Sequence, residues 1–102
     1  MNSYERLFGR IQGKPVDRIP NMNIVMQFAA RETNYSYGQV VRNARRMAEG
    51  MLLCHEKYGI DCLWTISDSV REPQDQGAEV IVPENGVPYC PRPFVRGPED
   101  FK

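Results

Sequence analysis

Ile60-Asp61-Cys62-Leu63-Trp64-Thr65-Ile66 is nearly continuous in apolar and β-prone residues, the composition of a strand buried on both faces of a parallel sheet. Working back from it, Gly59 closes a run in which Val40, Ala44, Met47, Met51, Cys54 and Tyr58 recur at helical spacing. That spacing predicts one long amphipathic helix of roughly 30 Å, with cap candidates in Thr33-Asn34-Tyr35-Ser36 and Arg42, Asn43, Arg45, Arg46, Glu49 and Glu56 on its other face. Earlier still, Met22, Ile24, Met26 and Phe28 alternate with Asn23, Val25 and Gln27, a strand periodicity that ends near Ala29-Ala30-Arg31. Strand, long helix and buried strand make a β-α-β unit with a right-handed crossover, and hence an α/β fold class.

The flanks extend this pattern. Tyr4, Leu7, Phe8 and Ile11 predict a short amphipathic helix over 3–12, capped by Asn2 or Ser3 and stopped by Gly13. Lys14-Pro15-Val16-Asp17-Arg18-Ile19-Pro20 follows, and its two prolines favour an extended connection. After the buried strand, Ser67-Asp68-Ser69 caps a short helical piece from Arg71 to Gln76, closed by Gly77. Glu79-Val80-Ile81-Val82-Pro83-Glu84-Asn85-Gly86-Val87-Pro88-Tyr89 sets Asn-Gly between two apolar stretches, a hairpin signal, and its prolines confine that ribbon to an edge. Pro98-Glu99-Asp100 has the charge pattern of a first helical turn, so the chain stops where an element begins.

The chain has 102 residues, 41% hydrophobic and 25% charged, with 13 Lys+Arg against 13 Asp+Glu. That length allows one domain at most, and the apolar content argues against a disordered chain. A net charge of zero lacks the electrostatic footprint of nucleic-acid binders, so no nucleic-acid partner is expected. No apolar run is long enough to cross a membrane, and the N-terminus lacks an apolar signal core, so a cytoplasmic protein is expected. Cys54, Cys62 and Cys90 lack the spacing of a disulfide framework and read as plain thiols.

Asp68 is the most informative single position. It directly follows the buried strand, where ligands sit in parallel α/β sheets, and a carboxylate there anchors N–H-rich ligands or carries a proton. The alternative is that Ser67, Asp68 and Ser69 only cap the next turn. Arg31, at the end of the first strand, holds the equivalent place one β-α unit earlier and suits a carboxylate or phosphate; its plainer role is a solvated arginine. Cys54-His55 invites a metal reading, but helix neighbours point about 100° apart and no Cys-x-x-Cys accompanies them, so no metal site is expected. Phosphate loops, Ser-His-Asp orders and dinucleotide fingerprints are absent from the sequence. Trp64 reads as packing inside a buried strand.

Taken in order, Glu5-Arg6-Leu7, Gly13-Lys14-Pro15-Val16-Asp17-Arg18-Ile19-Pro20, the segment closing on Arg31, Ile66-Ser67-Asp68, Pro73-Gln74, Gly77-Ala78-Glu79-Val80 and Glu84-Asn85-Gly86-Val87-Pro88 resemble the N-terminal part of the uroporphyrinogen decarboxylase superfamily. The resemblance covers nearly the whole chain. It implies a TIM (β/α)8 barrel of about 250 residues, of which residues 1–102 would be an incomplete opening segment with an N-terminal helix, a β-α-β unit and a β-hairpin.

In that family an aspartate after the second strand binds the pyrrole N–H groups of a tetrapyrrole and supports decarboxylation, and Asp68 matches it. Two arginines of the family meet substrate carboxylates; Arg31 matches the second, and Gln27 stands where the first would be. A neutral amide there weakens the charge-assisted contacts that would hold a polycarboxylate. The resemblance thus implies an N-terminal fragment of a decarboxylase-like enzyme, inactive alone, acting on a tetrapyrrole when complete. The alternatives are a portion of a corrinoid-dependent methyltransferase, whose zinc ligands belong to later sequence, or a stand-alone module that self-associates through exposed edges. No cofactor is expected in this segment itself.

Overall fold

A computed structural model describes residues 1–101. Five α-helices follow one another, α1 (Ser3–Ile11), α2 (Gln27–Arg31), α3 (Tyr37–Val41), α4 (Ala44–Tyr58) and α5 (Arg71–Asp75), before a 3-10 turn at Pro98–Phe101. No strand forms among the described residues, and the one β contact is an isolated antiparallel bridge between Ile81 and Tyr89. The expected α/β architecture is therefore corrected: the described residues are helical, with no β-α-β unit, no hairpin and no barrel strand among them. Among the described residues no helix is long and apolar enough to cross a membrane.

Each departure has a local physical cause. Gln27-Phe28-Ala29-Ala30-Arg31 is the helix α2, where a strand was expected, and its helical turn sets Ala29 against α4 and Ala30 against α3. The approach is close: a Cβ on Gly50 would lie 2.8 Å from the Ala29 carbonyl oxygen. The alternation read as a strand also has the wrong face, since Val25 is buried while Met22, Ile24 and Phe28 are exposed. Residues 60–66 form no regular element, with a bend at 61–62, and meet residues 21–22 through only one backbone hydrogen bond, Asp61 N–H to Asn21 O at 2.8 Å. The Trp64 indole takes the Met22 carbonyl at 3.0 Å. β-prone side chains do not make a strand without a ladder to join.

The expected long helix is two. Asn43 adopts an extended conformation and accepts from the Arg46 N–H at 3.1 Å, so it caps α4 and ends continuity with α3. Ser36 caps α3 in a capping box with Gln39, and Gly59 ends α4 in the left-handed conformation at φ 63°, both as the sequence indicates. In the 79–89 segment, Pro83 and Pro88 remove donors that a ladder needs, leaving the paired bonds of Ile81 and Tyr89. That loop docks on α3 instead, through Gly38 N–H to Glu84 O at 2.6 Å.

Two small apolar clusters hold the molecule. Val25, Ala29, Met51, Cys54 and Ile60 form one; Ala30, Tyr37, Val40 and Val41 form the other; Met47 packs against both. Outside them, α1 leaves Tyr4, Phe8 and Ile11 exposed and buries Arg6. Arg6 bonds both Asp17 carboxylate oxygens (Nε 2.7 Å, Nη2 2.8 Å) and lies 2.5 Å from Asp61. Asp61 also accepts from Arg18, the Ser3 hydroxyl and the Asn21 N–H. Burial pushes the Asp61 carboxyl up, but these donors together hold it well below the ordinary carboxylate range. The Asp-Arg pair between the two prolines thus clasps α1 to the end of α4. The whole is flat, 51 × 36 × 17 Å, with a radius of gyration of 17.2 Å, against about 13 Å for a compact chain of this length.

Candidate functional site

The segment after α4 delivers Ser67 and Asp68 to the wall of a broad cleft. Both are buried, and Asp68 is only 2% exposed. One carboxylate oxygen accepts from the Val70 N–H at 2.9 Å, a side-chain turn ahead of α5. The other accepts from the Ser67 hydroxyl at 2.7 Å and stands 3.8 Å from Arg71 Nη2. The turn-capping role is therefore real, and it coexists with a place in a cleft wall.

That cleft, about 730 Å³, is walled by Ile24, Val41, Met47, Trp64 and Ile66, with Arg42, Asp68, Arg71 and Glu72 as its charged groups. An apolar body with a few convergent polar groups is the common form of a small-molecule site. Trp64, expected in a buried strand, is part of this wall and partly exposed.

Arg31 and Gln27 do not share the cleft. They line a separate hollow of about 430 Å³ with Ala30, Tyr35, Tyr37 and Asn85. Gln27 donates to the Asn85 carbonyl at 2.7 Å, and Arg31 is exposed. Because α2 is a helix, its two ends lie on one surface, so Gln27 and Arg31 come together while Asp68 stays apart from them.

Tyr37 separates the two hollows. It lies on the second hollow, and its hydroxyl donates to the Ser67 carbonyl in a short hydrogen bond. Burial pushes its phenol up, and the Asp68 charge pushes the same way. Neither Tyr37 nor Arg71 stands out in the sequence as a site residue. Tyr37 directly follows the cap candidates 33–36 and opens α3, and Arg71 opens the short helix expected from Arg71 to Gln76; for Arg71 an Asp-x-x-Arg spacing was the available signal.

Cys54 is fully buried with its thiol pushed up by that burial, and the His55 ring nitrogen Nδ1 lies 2.6 Å from the Ile60 carbonyl oxygen. Neither faces a further donor set. Among the described residues no three His, Cys, Asp or Glu side chains converge, so they offer no fit for a zinc ion and no step is derived through one.

The family model for uroporphyrinogen decarboxylase (URO-D) matches residues 2–102. The chain belongs to that family. No curated protein and no solved structure matches it.

Proposed function

We propose that this chain is the N-terminal part of a uroporphyrinogen decarboxylase-like enzyme, that Asp68 engages the N–H groups of a tetrapyrrole substrate, and that residues 1–102 alone are inactive. The observation that carries this reading is a buried carboxylate set in the wall of a largely apolar cleft in a chain from this family. A carboxylate that a cleft desolvates attracts cationic or N–H-rich groups more strongly than one in water. The flat shape and the exposed Tyr4, Phe8, Ile11, Ile24, Phe28 and Phe101 support a role inside a larger enzyme, where those faces are covered. An open cleft on so thin a slab does not exclude water from a reacting substrate, which supports inactivity in isolation.

Arg31 remains the proposed contact for a substrate carboxylate, from the neighbouring hollow, with Gln27 beside it as a neutral partner. The test is chromatographic analysis of uroporphyrinogen incubated with the chain and with the complete enzyme. Turnover by the complete enzyme, lost on Asp68→Asn with thermal stability kept, is the expected result. Turnover by residues 1–102 alone overturns the inactive-fragment reading.

A further inference from the structure

Asn85-Gly86 stands in the loop that docks on α3, and Asn85 is the only asparagine of the chain followed by glycine. Asn85 is exposed, its side chain makes no hydrogen bond among the described residues, and neither does the Gly86 N–H. The Asn85 main-chain carbonyl accepts from Gln27 Nε2 at 2.7 Å, so across a planar trans peptide the Gly86 N–H points the opposite way, away from α2. Glycine also brings no Cβ to hinder a side-chain carbonyl that approaches this nitrogen. The two groups that must meet to close a succinimide ring are therefore both unoccupied, at an exposed bend. The loop itself is fastened through its main chain. The Glu84 carbonyl takes the Gly38 N–H at 2.6 Å, an amide in the first turn of α3 that has no acceptor inside the helix. The Val82 carbonyl takes Arg42 at 3.2 Å, and Ile81 and Tyr89 close the loop with their paired bonds. The fit on Gly38 has no slack, since a Cβ there would lie 2.6 Å from the Pro83 carbonyl oxygen.

We propose that Asn85-Gly86 is a site of spontaneous covalent modification, and that its isoaspartyl product frees the 79–89 loop from α3. The Gly86 amide nitrogen attacks Cγ of Asn85. The new C–N bond closes a five-membered succinimide, the Cγ–Nδ2 bond breaks, and ammonia leaves with the Gly86 proton. Water then adds to one of the two ring carbonyls. Opening at Cγ leaves an aspartate with the main chain intact, whereas opening at the main-chain carbonyl leaves an isoaspartate whose chain runs through Cβ and Cγ. That path is one carbon longer between the anchors at Glu84 and Tyr89, and the carbonyl held by Gln27 becomes a carboxylate off the chain. Anchors that all act through main-chain carbonyls, on a surface as close as that of Gly38, do not absorb such a change of path. Water is the one co-reactant, and the exposed Asn85 meets it freely.

Isotope-labelled chain is incubated at mildly alkaline pH and followed by peptide mass mapping and by the Gly38 amide signal in NMR. The expected result is that the peptide holding Asn85 gives way to two acidic products, each heavier by the exchange of an amide for an acid, while the other five asparagines stay intact. The docked Gly38 signal should be lost in step with the isoaspartyl product. Asn85→Gln, whose closure needs a larger ring, should keep its peptide and its Gly38 signal through the same incubation. Freshly prepared Asn85→Asp, with its main chain unbroken, should start with the docked signal. The unaltered chain decides both points without the variants. An Asn85 that survives the incubation, or converts no faster than the other asparagines, overturns the modification site. Conversion with the Gly38 signal unmoved overturns the loop release and leaves the site standing. Loss of that signal in Asn85→Gln at the same rate overturns the link between the two.

Discussion

Asp61 and Asp68 bracket the same segment and meet opposite surroundings. The Asp61 side chain is completely buried and surrounded by donors from four residues: Arg6, Arg18, Ser3 and Asn21. Asp68 is almost as buried, yet it bonds only its own neighbours and keeps a cleft in front of it. Burial by itself therefore does not distinguish a structural carboxylate from one available to a ligand. What separates them is whether the surrounding donors already come from distant parts of the chain. The ion pairs of Asp61 tie α1 and the proline-bounded loop to the residues after α4; removing Asp68 would leave every long-range contact in place.

The largest expected effect is on the Asp61 side. Asp61→Asn removes the anion that Arg6 and Arg18 share, and with Arg6 still held by Asp17 should cost about 2–3 kcal/mol in urea denaturation; an unchanged midpoint would break the contrast. The same clasp sets the acid limit. Asp61 lies well below the ordinary carboxylate range, and the Arg6 guanidinium holds Asp17 down to about 2. A lowered native value means the stabilisation is complete above the unfolded value of about 3.9 and is lost as pH falls through the native values. Stability measured by circular dichroism should thus fall between about pH 4 and pH 2, and Asp61→Asn should flatten that limb.

Smaller effects are expected on the cleft side. Tyr37→Phe removes the hydroxyl that satisfies the Ser67 carbonyl, a buried acceptor, and should cost about 1–2 kcal/mol by thermal melting. Asp68→Asn keeps an oxygen for the Val70 N–H and should change stability by less than about 1 kcal/mol. A loss as large as that of Asp61→Asn would make Asp68 a structural residue like Asp61 and remove the case for a ligand role.

Local signals were legible in the sequence because a few neighbouring residues generate them. Asn2, Ser36 and Gly59 end or begin helices where their side chains or backbone freedom predict. The absence of the expected strands was not legible, since a strand is a property of two segments and residues 60–66 find no ladder partner. Asn43 interrupts the long apolar periodicity from within, and periodicity carries no mark of a cap that competes with the helix. Asp61 did leave a mark: a charge within an otherwise apolar stretch must be paired somewhere. Asp68 drew attention through its place after an expected buried strand, and the structure buries it in a cleft wall without that strand, whereas the contacts of Arg71 and Tyr37 cross the fold in a way that spacing does not encode.

Met47 packs against both apolar clusters, and neither cluster is large. A shared side chain of this kind makes the two halves lose structure together, as one cooperative unit. Shortening it to alanine would uncouple them, so that the α3 half, with its docked 79–89 loop, opens to hydrogen exchange at lower free energy than the half around Cys54. The wall of the Asp68 cleft spans that seam, from Val41 to Met47 and Trp64, so its shape would then fluctuate with whichever half opens first.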